Sequence, residues 1–168
     1  MTLLSDVLEK EIILKEGYIN FWRDSACKEP KNEVEFQPYI ANTLDNFCKV
    51  NGIQLNREVK EANGSVDILF SFTTTDREIL KVCVEIKKAH HQNITTAIST
   101  QLPLYMKSVG TDAGIYLVIW QKNSHHKLPN KYQNESELKL EIDKNNPTKN
   151  GIEVKIINCC KQISPSKL

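Results

Sequence analysis

Residues 65–72 read SVDILFSF and residues 79–86 read ILKVCVEI, and these two stretches decide the fold of the chain. Both are nearly continuous runs of apolar residues, and the polar segment TTTDRE at residues 73–78 joins them. Short apolar runs of this kind are typical of strands that are buried on both faces of a sheet. We therefore expect a hairpin at the centre of the molecule, with helices covering the sheet.

Weaker patterns on either side of this hairpin predict the remaining elements. Further strands are expected over residues 54–60, 115–120 and 151–158, with Asn63-Gly64 as the turn signal before residue 65. Apolar residues at helical spacing predict helices over residues 2–22, from Asn32 onward, and over residues 95–108 and 135–143. This order of elements predicts an α/β layered sandwich on a mixed sheet.

Two prolines fall inside the predicted helices, where a proline removes one backbone hydrogen bond. Pro38 follows Asn32, so we expect this helix to be kinked or to start later than Asn32. Glu35, three residues after Asn32, is the expected partner in a capping box. Pro103 is expected to disturb the helix over residues 95–108.

The formal net charge of +1 hides two halves of opposite charge. Residues 1–80 carry nine Lys and Arg against 14 Asp and Glu, whereas residues 81–168 carry 13 Lys against seven Asp and Glu. The near-neutral total excludes a histone-like protein that holds nucleic acid by bulk charge. The length of 168 residues predicts a single domain over residues 1–168.

The chain shows no sequence signal for a membrane or secreted protein. Its longest apolar run, Ile115–Trp120, is far shorter than the roughly 20 residues that span a bilayer. The five cysteines lack the spacing of a disulfide framework or a zinc site, so His90-His91 and His125-His126 are interpreted as loop residues. We expect a cytoplasmic protein with reduced thiols and no membrane partner.

Charged residues interrupt the buried strands at three positions. Asp67 lies within SVDILF, and Glu85 and Lys87 lie at the end of ILKVCVEIKK, two residues apart on one face of a strand. A buried carboxylate is costly unless it is paired or binds a metal, and the hairpin can place both carboxylates side by side. A hard cation such as Mg²⁺ would relieve their repulsion, with Lys87 beside it.

These residues resemble the PD-(D/E)XK nuclease superfamily, which has the restriction-endonuclease-like fold. The matching features are Asp67 in GSVDILF, the Glu85-Ile86-Lys87 triplet and Gln101-Leu-Pro-Leu-Tyr105, which resembles the QxxxY motif of the RecB-type branch. Val66 stands where the family name has a proline. The resemblance implies an α/β/α sandwich with a helical extension at residues 1–30, a catalytic core at 31–120, and a Lys-rich segment with the last strand at 121–168.

The resemblance also implies an activity and roles for these residues. The protein would be a Mg²⁺-dependent DNA endonuclease, with Mn²⁺ able to substitute. Asp67, Glu85 and the carbonyl of Ile86 would bind the metal, Lys87 would position the attacking water, and Gln101 and Tyr105 would orient the substrate. Small nucleases of this branch often act as effectors in bacterial defence, and the resemblance implies that role here. A homodimer is expected because cutting both strands needs two active sites, and strong sequence specificity would need an associated or fused sensor or recognition module.

Several alternatives remain at this point. Glu33 and Glu35 compete as a further metal ligand from the helix after Asn32, and Glu33 is favoured because it lies on the sheet-facing side. RNA is the alternative substrate. A non-catalytic nucleic-acid-binding module of the same fold is the alternative function. The lysines between residues 122 and 149 form either a solvated surface or a track for phosphates.

Overall fold

A five-stranded mixed sheet forms the centre of the computed structural model, which describes residues 2–61, 64–148 and 151–161. Its strands lie side by side in chain order, the first three antiparallel and the last three parallel. They are β1 (Ile53–Glu61), β2 (Gly64–Thr73), β3 (Ile79–Lys88), β4 (Gly114–Trp120) and β5 (Ile152–Asn158). The predicted α/β class and the predicted mixed sheet are confirmed.

Helices cover both faces of the sheet. One face carries α1 and α2, which contact each other, and the other carries α3 and α4. Strands β3, β4 and β5 run parallel, so crossover connections must join them, and α3 and α4 provide these connections. The helices are α1 (Thr2–Leu14), α2 (Glu33–Val50), α3 (Ala97–Val109) and α4 (Glu135–Asn145).

Strand β4 is the most deeply buried strand of the sheet. Every residue of β4 is buried, as its apolar run predicts. In β2, by contrast, Val66, Ile68 and Phe70 are buried while the residues between them are half-buried. The buried face of β2 packs with Val84 of β3 against side chains of α1 and α2 that include Leu8, Ile40 and Leu44. Because neighbours in a strand face opposite ways, the Asp67 side chain does not point into this core.

Neither proline ends its helix. Pro38 lies within α2 and Pro103 within α3, and both helices continue beyond them. Burial of apolar residues on both sides of each proline, such as Phe36 and Ile40 in α2, offsets the one lost hydrogen bond. The prediction that α2 starts later than Asn32 is wrong, because Glu33 is its first residue and Asn32 its N-cap.

The first predicted helix is shorter than expected. Instead of continuing to residue 22, α1 ends at Leu14, Glu16 is left-handed with φ of 57°, and Gly17–Phe21 forms a 3₁₀ turn. Gly17 packs so tightly that a Cβ there would lie 2.2 Å from the Tyr39 hydroxyl. Close packing against α2 therefore overrides the helical pattern.

Two predictions fall wholly or partly outside the described residues. The Asn63-Gly64 turn includes Asn63, and the lysines of the 122–149 segment include Lys149. Within residues 2–61, 64–148 and 151–161, none of the helices combines the length and apolar character needed to cross a membrane.

Candidate active site

The candidate site lies where β2 and β3 part. Their ladder ends with the pair of Ile68 and Val84, and Asp67 of β2 and Glu85 of β3 are the next residues beyond it. There the Asp67 carboxylate replaces backbone pairing, because its Oδ2 accepts a hydrogen bond from the Ile86 N–H at 2.8 Å. Its Oδ1 accepts a second from the Gln37 side chain of α2 at 2.9 Å. The Asp67 carboxylate is thereby held between two strands and a helix.

Glu85 and Lys87 form a buried ion pair on one face of β3. The exposed fraction is 1% for Glu85 and 7% for Lys87, and the Lys87 ammonium contacts Oε1 of Glu85. Among the described residues, nothing donates a hydrogen bond to the second oxygen of Glu85, Oε2, although this atom is also buried. A buried acceptor without a partner is costly in a folded protein, so this oxygen marks a position where a donor or a cation would be stabilised.

The charges of the site act strongly on one another. Burial and the neighbouring charge of Asp67 raise the pKa of Glu85 to about 7. Burial also raises the pKa of Asp67, and Glu33 adds to the rise. Burial lowers the pKa of Lys87, but the charge and hydrogen bond of Glu85 and the charges of Glu33 and Asp67 together outweigh it, so the pKa ends above its ordinary value. Lys87 is therefore a protonated donor at neutral pH, beside carboxylates that resist ionisation.

The structure places Glu33 and Glu35 in different surroundings. Glu33, the first residue of α2, is half-buried and accepts a hydrogen bond from the Lys88 N–H at 2.8 Å. Its charge reaches Asp67, Glu85 and Lys87. Glu35 is exposed, accepts a hydrogen bond from the Asn32 N–H at 2.8 Å, and pairs with Arg23 at 2.6 Å. The predicted capping partner is confirmed, and Glu33 is the one that lies next to β3.

Gln101 and Tyr105 share one face of α3 despite Pro103 between them. The Gln101 amide donates a hydrogen bond to the Tyr105 hydroxyl at 3.0 Å. Tyr105 is buried, and its hydroxyl lies against Gly64 at the start of β2, where a Cβ would approach to 2.7 Å. Within the described part of the chain, no hydrogen bond joins either side chain to Asp67, Glu85 or Lys87.

Two residues of the site were not predicted from sequence. Gln37 donates a hydrogen bond to Asp67. Its position one helical turn after Glu33, on the sheet-facing side of α2, is the sequence feature that could have indicated this role. Tyr116 of β4 pairs with Glu85 in register, and its buried hydroxyl donates to the Ile94 carbonyl at 2.8 Å. Burial and the charge of Glu85 raise the pKa of Tyr116, so it stays a neutral donor. No local pattern indicates Tyr116 within its apolar strand.

Asp67 and Glu85 fit a hard divalent cation. Glu85 Oε2 is buried without a partner, and the charge of Asp67 raises the pKa of Glu85, so a cation between the two would be stabilised. Across the described residues, no group of three or more His, Cys, Asp and Glu residues is arranged to hold a metal. Mg²⁺ is commonly bound by one or two carboxylates with waters, so two carboxylates are a sufficient protein contribution.

Two histidines meet beyond the end of β3. The rings of His90 and His126 lie 5.0 Å apart between centroids. Burial lowers the pKa of His90 to about 4 and also lowers the pKa of His126, with the charge of Lys88 contributing to both. Both imidazoles are therefore neutral at neutral pH and stand in a positively charged neighbourhood.

Comparison with known protein families places the chain in a family. The profile of a domain of unknown function, DUF8371, matches residues 2–123. The chain belongs to the DUF8371 family. No curated protein and no solved structure matches it.

The DUF8371 match contains every candidate site residue. It begins with α1 and ends just after β4, so it includes Glu33, Asp67, the Glu85–Lys87 triplet, Gln101 and Tyr105. Helix α4 and strand β5 follow the matched region. The site therefore lies within the part of the chain that the family profile matches.

Proposed function

We propose that this DUF8371 protein is a metal-dependent nuclease of the PD-(D/E)XK type that hydrolyses phosphodiester bonds, with DNA as its main substrate. The observation that carries the proposal is the meeting of Asp67, Glu85 and Lys87 where β2 and β3 part, with one buried Glu85 oxygen left without a partner. The helix–hairpin–helix–strand order supports the restriction-endonuclease-like assignment.

The carboxylates of Asp67 and Glu85 would hold the cation, together with the Ile86 carbonyl. Gln37 and the Ile86 N–H fix the orientation of Asp67, so the carboxylate needs little rearrangement to bind. A bound Mg²⁺ or Mn²⁺ supplies Lewis acidity and lowers the pKa of a coordinated water. Glu33 stands close enough to add negative charge to the same site.

Lys87 acts in this proposal as a hydrogen-bond donor, not as a base. Its pKa lies above the ordinary value, so the ammonium is charged at neutral pH. A fixed ammonium in a buried site stabilises negative charge that develops on a phosphate and orients the attacking water. Gln101 and Tyr105 would orient the substrate from α3 as one hydrogen-bonded pair.

Plasmid cleavage tests the proposal. Purified protein is incubated with supercoiled plasmid in Mg²⁺, in Mn²⁺ and in EDTA. We expect nicking only with a metal, and a loss of about 100-fold or more in Asp67→Asn, Glu85→Gln and Lys87→Gln, because each removes a charge on which the transition state depends. Asp45→Asn and Lys49→Gln are matched controls, since these residues form an exposed pair on α2.

One feature of the site favours the rival function, a non-catalytic nucleic-acid-binding module. Both Asp67 oxygens already accept hydrogen bonds and Lys87 already pairs with Glu85, as in a structural network. DNA binding without cleavage in either metal would support this rival and contradict the nuclease. Labelled RNA in a parallel reaction tests the alternative substrate, and cleavage that persists in EDTA would contradict the metal dependence.

A further inference from the structure

We propose that the cleft beyond the carboxyl end of β3 binds one unpaired nucleotide of the substrate strand, next to the bond that is cut. The cleft measures about 280 Å³, and two chain segments line it, residues 89–92 with 94 and 95, and residues 128–132. The inference rests on the proposed nuclease function, because it assigns a substrate feature to the same site.

The cleft and the candidate active site are connected through one strand. Ala89 lines the cleft and comes two residues after Lys87, a distance of about 7 Å along an extended chain. The Ala89 N–H donates to the Ile119 carbonyl at 2.9 Å, so the chain continues along β4 to the cleft. Tyr116 pairs with Glu85 in register and holds the Ile94 carbonyl in the cleft wall. The spacing suits adjacent nucleotides of one strand.

The cleft favours an anion. None of its lining residues is acidic, while Lys131, His90 and His91 contribute cationic or donor groups. Within the described residues, the peptide N–H groups of His90, Gln92 and Thr95 make no hydrogen bond, although neighbouring N–H groups of the same loop do. Backbone N–H groups without a partner can form an anion-binding concavity, and Lys131 adds positive charge to the lining. A phosphate group satisfies these donors.

The remaining lining of the cleft suits a base. Ile94, Leu128 and Pro129 form an apolar wall, and the exposed amide side chains of Gln92 and Asn130 can pair with the edge of a base. The Lys131 ammonium lies 5.1 Å from the centre of the Tyr132 ring and 3.6 Å from Glu141, which places it at the rim. The volume lies near the lower end of ligand clefts, as suits one small ligand.

Binding of a mononucleotide without cleavage tests the inference. Isotope-labelled protein in EDTA is titrated with deoxythymidine 5′-monophosphate and, separately, with inorganic phosphate, while backbone amide resonances are followed. We expect shifts in both cleft segments and tighter binding of the nucleotide than of phosphate. Gln92→Trp, which fills the cleft from an exposed position, and Lys131→Gln should each weaken nucleotide binding about fivefold or more.

The chain offers matched controls. Asn93 is exposed and adjacent to Gln92 but does not line the cleft, so Asn93→Trp should bind the nucleotide like the wild type. Lys139→Gln changes a lysine on α4 that pairs with Asp143 outside the cleft. Equal binding by Gln92→Trp and Asn93→Trp would overturn the inference. Phosphate binding as tightly as the nucleotide would overturn the assignment of a base to the cleft.

The nuclease proposal and this inference can fail separately. Nucleotide binding in the cleft with no metal-dependent cleavage would overturn the nuclease and leave a nucleotide site. Metal-dependent plasmid cleavage that Gln92→Trp leaves unchanged would keep the nuclease and overturn the cleft as part of its substrate site. If both hold, the wild type should cut single-stranded DNA faster than blunt duplex, and Gln92→Trp should reduce that preference.

Discussion

The Ile86 N–H on β3 donates a hydrogen bond to the carboxylate of Asp67 on β2, at 2.8 Å. A side chain here takes the place of a backbone carbonyl in the ladder between the two strands. The strands therefore part beyond the Ile68–Val84 pair, and the gap is lined by carboxylates instead of main-chain groups. This single hydrogen bond from a main-chain N–H to a side-chain carboxylate opens the gap in which the charged site lies.

Mg²⁺ should stabilise the protein more at high pH than at low pH. The folded protein holds Glu85 with a pKa of about 7, above the ordinary 4.5, so folding favours the protonated form. Stability without metal should therefore fall as pH rises from about 4.5 to 7, because the native state binds more protons than the unfolded state. Mg²⁺ binds the ionised form and reverses this loss above pH 7.

Thermal unfolding at pH 5.5 and pH 8, with and without Mg²⁺, measures the effect. We expect Mg²⁺ to raise the melting temperature at pH 8 by about 3 °C or more and to have little effect at pH 5.5. Glu85→Gln should abolish the pH-dependent part, whereas Asp45→Asn should retain it. An equal Mg²⁺ effect at both pH values would contradict Glu85 as a ligand.

Gln37→Leu should impair the site through Asp67. The substitution keeps the approximate size of the side chain but leaves Asp67 Oδ1 without its donor, so the pKa of Asp67 should rise further. We expect a loss of about 1–3 kcal/mol in unfolding free energy and a higher Mg²⁺ requirement for cleavage. Urea titration and cleavage at graded Mg²⁺ measure both. Gln54→Leu on the exposed strand β1 is the control and should change neither.

Glu33→Gln and Glu35→Gln should affect different properties of the protein. Glu35 caps α2 and pairs with Arg23, so its substitution should lower stability by about 1 kcal/mol and leave the Mg²⁺ dependence unchanged. Glu33 lies beside Lys88 and the carboxylate pair, so its substitution should shift the Mg²⁺ dependence. Cleavage rate against Mg²⁺ concentration separates the two. A shift in Glu35→Gln alone would reverse the assignment.

Gly64 and Tyr105 should be energetically coupled. Alanine at position 64 is strained by the φ of 136° and would bring its Cβ to 2.7 Å from the Tyr105 hydroxyl. We expect Gly64→Ala to cost about 1–3 kcal/mol in the wild type and less in the Tyr105→Phe background, where the hydroxyl is absent. A double-mutant cycle in urea measures the coupling. Additivity within about 0.5 kcal/mol would show that the two residues do not interact.

Much of the fold follows from local patterns. Runs of apolar residues predict β2, β3 and β4 because a strand between two helical layers needs apolar side chains on both faces. The same runs make Asp67, Glu85 and Lys87 conspicuous, since a charge buried in such a strand is costly unless it is paired or binds a metal. Prediction failed at α1, where contact between Gly17 and Tyr39 of α2 ends the helix early. That contact joins residues far apart in the chain, so no local periodicity reports it.

The amino-acid order therefore establishes the class of the fold, its strands and the three charged residues within them, because periodicity and the cost of burying charge are local properties. The partners of those charges depend on packing between distant segments. Gln37 reaches Asp67 across 30 positions, Glu33 reaches Lys88 across 55, and the cleft joins the loop after β3 with residues 128–132. Such contacts arise when helices and loops pack on the sheet, so they become visible only in three dimensions.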